Sequence, residues 1–306
     1  MLTEKITLVT GGSGMVARAL KRVAPGAIYV SSAAFDLRDP VAADAMCASY
    51  RPNYVLHLAA KVGGVKANTE YVAEMFRDNI LINTNVLDSC RRHNVEKVVS
   101  LLSTCVYPDN AIFPLTENQF HDGRPHKSNY GYAYAKRMLD VQSRAYRQQY
   151  GCNFITAVPN NLFGENDNYD LEDSHVLPAI MRKMYEAELN KTDVLLWGDG
   201  SPLREFTYST DIARALLLLL KGYNEESPIN IGNTEETSIK HAAEKIADLL
   251  GFTGKIIWQT EMPSGQHRKP SDNSKFQELF SMKYTKFNKA LKNSCEWFKK
   301  AYPQVR

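Results

Sequence analysis

Five short apolar runs spaced through the first half of the chain constrain its fold more than any other feature. Ile6–Val9, Ala27–Val30, Tyr54–Leu58, Val98–Leu102 and Phe154–Val158 are aliphatic or β-branched and nearly continuous. Strands with that pattern must be covered on both faces. Amphipathic stretches separate them. Met15, Val16, Ala19, Leu20 and Val23 share one helical face, and longer helical patterns cover about Tyr71–His93 and Gly131–Tyr150. Parallel neighbours need crossover connections, and helices supply them. The alternation therefore predicts an α/β chain built on a doubly wound parallel sheet.

Past Pro159 the rhythm becomes irregular. A polar, turn-rich stretch, Asn160–Ser174, leads to a predicted helix near His175–Glu188 and a short strand, Val194–Trp197. Thr207–Tyr208 and the apolar helix Asp211–Leu220 are expected to return to the first sheet, and a second excursion runs to the end. The expected division is one domain of residues 1–162 plus 206–233, and a smaller C-terminal α/β lobe of residues 163–205 plus 234–306.

Charge and cysteine use remove whole classes of function. The net charge of +3 argues against a general nucleic-acid binder. It conceals a split: residues 251–306 carry +7 and residues 1–250 carry −4. A final helix from near Thr285 places Phe287, Leu291 and Phe298 on one face and Lys286, Lys289 and Lys300 elsewhere, so most of the +7 is a solvated face. Arg268 and Lys269 are left as its expected ligand-facing part. The longest aliphatic run, Ala215–Leu220, is too short to span a bilayer, and the N-terminus lacks a secretory pattern, so no membrane partner is expected. Five scattered cysteines with no C-x-x-C pair predict neither a disulfide framework nor a metal site, and a reducing cytoplasm is expected.

The first strand runs into Thr10-Gly11-Gly12-Ser13-Gly14 and then directly into the first helix. Gly11 permits a tight turn, and Gly14 lets a pyrophosphate approach the free N–H groups of the helix N-terminus. Ala17 stands where a third glycine is common, and a methyl there still allows close helix–strand packing. Strand, glycine turn and helix together predict a Rossmann-type dinucleotide site. Cofactor choice is made at the end of the second strand, where an acid favours NAD and a basic residue NADP. Here Ser31 and Ser32 follow Val30, with neither charge adjacent, so hydroxyls and backbone N–H groups are expected to serve NADP. Asp36 and Leu37 are expected at the adenine edge.

Tyr132 and Lys136 lie four residues apart on one predicted helix and so share a face. A free phenol, with a pKa of about 10, is a poor proton-transfer group at neutral pH. An adjacent ammonium stabilises the phenolate and brings it into range. Ser103, at the end of the fourth strand, is the expected third member, with Tyr130 and Tyr134 facing elsewhere. His57, within a strand, is expected to be structural.

With these residues in place, the chain resembles the extended short-chain dehydrogenase/reductases. Finer motifs resemble the GDP-L-fucose synthase family within them: Ala59-Ala60-Lys61-Val62-Gly63-Gly64, Ser103-Thr104-Cys105-Val106-Tyr107-Pro108, Asn161-Leu162-Phe163-Gly164, Ser174-His175-Val176-Leu177-Pro178, Trp197-Gly198 and Arg204-Glu205-Phe206. The resemblance implies a homodimer that epimerises GDP-4-keto-6-deoxy-D-mannose at C3 and C5 and then reduces C4 with NADPH. Cys105 and His175 are the implied proton-transfer pair, and both residue types titrate near the useful range. If strand geometry persists beyond Ser103, Cys105 points into the same pocket.

The same resemblance implies cofactor contacts from Met15, Val16, Leu58, Ala59, Ala60, His175 and the backbone of Pro159, Asn160, Asn161 and Leu162. Lys183, Trp197, Arg204, Lys269 and Asp272 are the implied nucleotide-sugar contacts. Lys183 stands where bacterial relatives carry arginine, and a lysine acts as a point charge rather than a fork. Glu165 near an anionic ligand has no explanation in the sequence. Related 4,6-dehydratases resemble one another in a Thr-Asp-Glu triplet after the fourth strand; Ser103-Thr104-Cys105 lacks those carboxyl groups and disfavours elimination. A simple 4-epimerase has no need of the Cys105/His175 pair, and a non-catalytic NADP-binding regulator has no need of Ser103, Tyr132 and Lys136 together.

Overall fold

Strands and helices alternate through the first half of the molecule, with two helices in succession after the third strand. β1 (Thr7–Thr10) leads into α1 (Met15–Val23), β2 (Ile28–Val30), α2 (Pro40–Tyr50), β3 (Tyr54–His57), a short α3 (Val65–Glu70), α4 (Val72–Arg92), β4 (Lys97–Leu101), α5 (Tyr130–Tyr150) and β5 (Phe154–Pro159). The computed structural model describes residues 5–262 and 267–305. Helix ends follow local chemistry. Asp39 accepts from the Val41 N–H at 2.9 Å and caps α2 just before Pro40, whose fixed φ suits a first turn. α5 stops at Gly151, which adopts the left-handed conformation at φ 70°.

The central sheet has the order β2-β1-β3-β4-β5-β9, with β9 at Ile229–Ile231, and every pairing is parallel. Successive side chains leave opposite faces. Leu8, Val55, Val98 and Phe154 pack with Met46, Leu87 and Leu139 from α2, α4 and α5. Val9, Leu56, Val99 and Ile155 pack on the other face with Leu20 from α1 and with Ile212 and Leu216 from a later helix. All of these are fully buried, and each such side chain contributes roughly 1.5–3 kcal/mol of transfer free energy. Two-sided burial explains why these strands show no alternation.

Thr207–Tyr208 does not return to this sheet. After β6 (Asn161–Phe163), α6 (Val176–Asn190) and β7 (Val194–Trp197), the chain forms β8 (Leu203–Tyr208). β8 pairs with β6 and with β10 (Glu236–Ser238) in a separate three-stranded sheet. The strand that rejoins the main sheet is β9, after α7 (Ser209–Gly222). Lys97 on β4 fastens α7, donating to the carbonyls of Leu219 and Leu220 at 2.7 and 2.8 Å, where the end of the helix leaves acceptors free.

The chain continues through α8 (Ile239–Leu250), β11 (Ile256–Gln259), α9 (Ser274–Phe280) and α10 (Phe287–Ala301). A third core joins α6, α8 and α10 through Met181, Ile246, Leu291 and Phe298. Lys286, Lys289 and Lys300 lie on the exposed side of the last helix, as the sequence pattern predicts. Asn160 joins this region to the main sheet. It accepts from the Thr207 hydroxyl at 2.6 Å and donates to Glu205 and to the Asn233 carbonyl, while Glu205 accepts from the N–H and hydroxyl of Ser271.

Candidate active site

In the main sheet, β2 and β3 lie on opposite sides of β1, so the crossover direction reverses there. Crevices form beyond the carboxyl ends of strands at such a reversal. A cavity of about 850 Å³ opens at this point, lined along its length by Gly14, Ser31, Ala59, Lys136, Asn161 and Arg204.

The glycine turn is wedged between the ends of β2 and β3. Gly11 has φ 69°, and a Cβ there would stand 3.0 Å from the Ala59 nitrogen. Gly12 donates to the Val30 carbonyl at 2.7 Å, and a Cβ on it would come within 2.9 Å of the Val30 nitrogen. Sequence reasoning singled out Gly11 and Gly14 and overlooked Gly12. No side chain caps α1, so its first N–H groups remain available beside the cavity. Met15, Val16, Leu58, Ala60 and Leu162 also line it.

A buried chain of hydrogen bonds holds this floor. The Thr10 hydroxyl accepts from the N–H groups of Leu58 and Ala59, both at 3.1 Å, and its own proton therefore goes to His57 Nδ1, 2.9 Å away. His57 Nε2 in turn donates to Asn83 Oδ1 at 3.1 Å, and Asn83 donates to the Ala135 carbonyl on α5. Burial and the Lys136 charge hold His57 neutral, with its pKa pushed down to about 3. His57 is thus a structural link between the glycine turn and the helix carrying Tyr132 and Lys136.

Lys136 is buried and donates to the Leu101 carbonyl at 2.8 Å. Burial pushes its pKa down to about 8 and pushes the Tyr132 phenol well above the usual tyrosine range. Burial governs the phenol, and the Lys136 ammonium, 5.8 Å from the ring centroid, does not offset it. β4 ends at Leu101, and Ser103 caps a single 3-10 turn, Thr104–Val106, accepting from the Cys105 N–H at 3.4 Å. Strand geometry does not persist to Cys105; the turn is what brings it beside Ser103. Burial raises the Cys105 thiol pKa, with the Ser103 hydroxyl and the Lys269 and Lys136 charges opposing. His175, the residue before α6, opens onto the cavity, and the surrounding protein lowers its imidazole pKa against the pull of Asp173.

The second sheet and its helices bring cations towards the other end. Arg204 lines the cavity and donates to the Leu203 carbonyl at 2.7 Å, with no acidic partner among the described residues. Lys183 and Lys269 are half-buried, and neither has a hydrogen bond or ion pair among the described residues. Trp197 is exposed at the end of β7. Asp272 is occupied as a cap, its carboxylate accepting from the Ser274 N–H at 2.9 Å. Lys183, Trp197, Lys269 and Asp272 stand outside the cavity wall itself. Arg268 is bound by Glu236 and does not face it. Glu165 also turns away: it accepts from Tyr208 at 2.5 Å and pairs with Arg22 on α1 at 3.3 Å. Its role is to fasten β8 to the first helix. Arg38, Lys61 and Asp78 line the cavity and were not anticipated as site residues.

The glycine cradle and uncapped helix fit a dinucleotide diphosphate, and comparison with known proteins agrees. Residues 7–232 match the NAD dependent epimerase/dehydratase family. The chain is 40% identical to the GDP-L-fucose synthase of Dictyostelium discoideum, across 99% of this chain and 98% of that protein. Identity to the probable GDP-L-fucose synthase of Drosophila melanogaster is 37%, with 99% of each covered. The crystal structure of a GDP-L-fucose synthetase from Naegleria fowleri bound to NADP matches with a TM-score of 0.94 at 39% identity, covering 100% of this chain and 97% of that one. Fold and site define an enzyme of the epimerase/dehydratase family, within the extended short-chain dehydrogenase/reductases. The chain belongs, within that family, to the GDP-L-fucose synthases.

Proposed function

We propose that this enzyme converts GDP-4-keto-6-deoxy-D-mannose to GDP-L-fucose, inverting C3 and C5 before reducing C4. The observation that carries the reading is a cavity lined by Ser103, Tyr132, Lys136 and His175, with Cys105 on the turn that Ser103 caps, just behind the cavity wall. The C4 ketone acidifies the hydrogens on C3 and C5. Inversion needs one group to remove a proton, leaving an enolate, and another to return one on the opposite face. At neutral pH the raised Cys105 pKa leaves a protonated thiol and the lowered His175 pKa leaves a free imidazole lone pair, so the pair carries one proton to give and one site to receive it.

NADPH, when bound, supplies the hydride that C4 receives. Ser103 is placed to donate to the carbonyl oxygen. Tyr132, kept protonated by burial, gives its proton to the oxygen as it becomes an alkoxide. The Lys136 ammonium holds the nicotinamide ribose. Gly11, Gly14, Met15 and Val16 receive the diphosphate end of the cofactor, and Leu58, Ala59, Ala60 and Pro159–Leu162 flank the rest. Arg204, Lys183 and Lys269, which have no acidic partner among the described residues, are cations suited to the GDP diphosphate, with Trp197 available to stack on the base.

Residues 1–160 plus 209–233 serve as the cofactor domain, and the sugar-nucleotide lobe starts with β6 and takes in β8, which the sequence pattern assigns from residue 206 to the cofactor side. The enzyme works as a homodimer in the cytoplasm. No described helix is long and apolar enough to cross a membrane.

Purified protein given the keto sugar and NADPH should yield GDP-L-fucose as the reduced-nicotinamide absorbance falls. No turnover rejects the reading. Cys105→Ser should slow deuterium entry from solvent at C3 and C5 while NADPH still binds. Tyr132→Phe should keep that exchange and lose net reduction, and a fully active Tyr132→Phe enzyme refutes its role.

A further inference from the structure

The sequence beside β2 offers two serines and no adjacent basic residue, yet an NADP enzyme needs something to hold the 2′-phosphate. Asp36, six residues beyond Val30, is the type of residue that reads an unphosphorylated ribose and repels a phosphorylated one. The structure shows that its carboxylate is already engaged. Arg38 folds back on it, with Nε 2.9 Å from Oδ1 and Nη2 2.6 Å from Oδ2, a two-pronged pair.

The position of Arg38 is built from several directions. Its own N–H donates to the Asp36 carboxylate at 3.1 Å, closing a tight turn. The Asn85 side chain on α4 donates to the carbonyls of both Leu37 and Arg38, at 3.0 and 2.9 Å, and Leu37 is buried beneath. Nη1 of Arg38 faces the buried carboxylate of Asp78 at 3.6 Å, outside hydrogen-bond range. Asp78 is itself shared with Lys61 at 3.0 Å and Arg77 at 2.7 Å. Three cations therefore surround two carboxylates, and the cluster keeps a net positive charge. Ser31, Ser32, Asp36, Arg38, Lys61 and Asp78 all line the same end of the cavity, next to the end of β2.

We propose that Arg38, held in place by Asp36 and Asp78, is the contact for the 2′-phosphate of NADPH and the source of this enzyme's preference for NADPH over NADH. Asp36 is a positioning residue for the guanidinium, not a reader of the ribose hydroxyl. Ser31 and Ser32 add hydroxyl donors to the same phosphate, and Lys61 adds charge. The proposal rests on the cavity taking a dinucleotide and is independent of which sugar is turned over.

Calorimetric titration of the full-length protein with adenosine 2′,5′-bisphosphate and with adenosine 5′-monophosphate isolates the phosphate, since the two differ in nothing else. Arg38→Ala should weaken the bisphosphate by about tenfold or more and leave the monophosphate within about twofold. The bisphosphate preference of the parent protein should also shrink with added salt, because Arg38 is half exposed. Equal losses for both nucleotides, or none, overturn the assignment. Asp36→Asn should weaken the bisphosphate more than the monophosphate, because the guanidinium loses its anchor; a larger loss for the monophosphate puts the carboxylate on the ribose and overturns the assignment as well. A parent protein that binds neither nucleotide rejects the dinucleotide reading itself, a different failure from an inert Arg38→Ala.

Discussion

The Lys136 ammonium bonds to the Leu101 carbonyl at 2.8 Å and stands 5.8 Å from the centroid of the Tyr132 ring. The residue expected to tune the phenol is thus anchored to the end of β4. Burial acts on both groups in opposite directions, bringing the lysine down to about 8 and raising the tyrosine. At neutral pH the pair is an ammonium and an intact phenol, which suits proton donation to a forming alkoxide. Lys136 also fixes the helix relative to the strand.

This gives the reduction an alkaline limit. Lys136 loses its proton as pH rises through about 8, so turnover of NADPH should fall above that point. Arginine stays protonated far beyond it. The residual activity of Lys136→Arg should therefore carry its alkaline limb above pH ~9. A limb at the same pH in both proteins assigns it to another group.

Strands β1 to β5 were legible to within a residue or two because burial on both faces writes a continuous apolar run. Thr207–Tyr208 has the same character but a different partner. Composition reports that a strand is buried and not what it pairs with. β9 is only three residues, too short to announce itself, although it completes the main sheet. Spacing pointed to Ser103, Tyr132 and Lys136, the family resemblance added His175, and all four line one cavity. It misjudged the path at Cys105, because one 3-10 turn replaces the strand. Arg38 was missed because its return towards the cofactor end depends on Asp36, Asn85 and Asp78, two of them on a helix far along the chain.

Glu165 has a structural role that can be separated from binding. Its carboxylate is largely shielded and joins Tyr208 to Arg22, which is itself substantially exposed. Glu165→Gln should cost about 1 kcal/mol of stability in urea unfolding, with Arg22→Ala costing less because solvent screens that arm. Neither should change cofactor affinity. An affinity loss with unaltered stability would return Glu165 to the binding site.

The proposed dimer has an identifiable surface. α4 and α5 lie side by side, joined by Thr84 and Gln142 at 3.1 Å, and together expose Phe76, Leu81, Met138 and Val141. Light scattering should report twice the chain mass. Leu81→Glu with Val141→Glu should yield a folded monomer, since both changes are on exposed positions. A monomeric parent protein removes the proposal.

His57 should give the fold a specific sensitivity to acid. Its pKa is about 3 in the folded chain and about 6.5 when unfolded. Between these values the unfolded chain takes up a proton that the native state refuses, so stability falls as pH drops through the window. Above pH 6.5 the group contributes nothing to the slope, and below 3 both states are protonated. Within the window the ideal slope is about 1.4 kcal/mol per pH unit. His57→Gln removes this titration and should unfold less steeply between pH 6.5 and 4.5, measured by urea midpoints. It should also be less stable than the parent at pH 7, because Thr10 and Asn83 lose the ring that links them. Parallel pH slopes in the two proteins would show that His57 is not held neutral, and the tautomer assigned from Thr10 and Asn83 would fall with it.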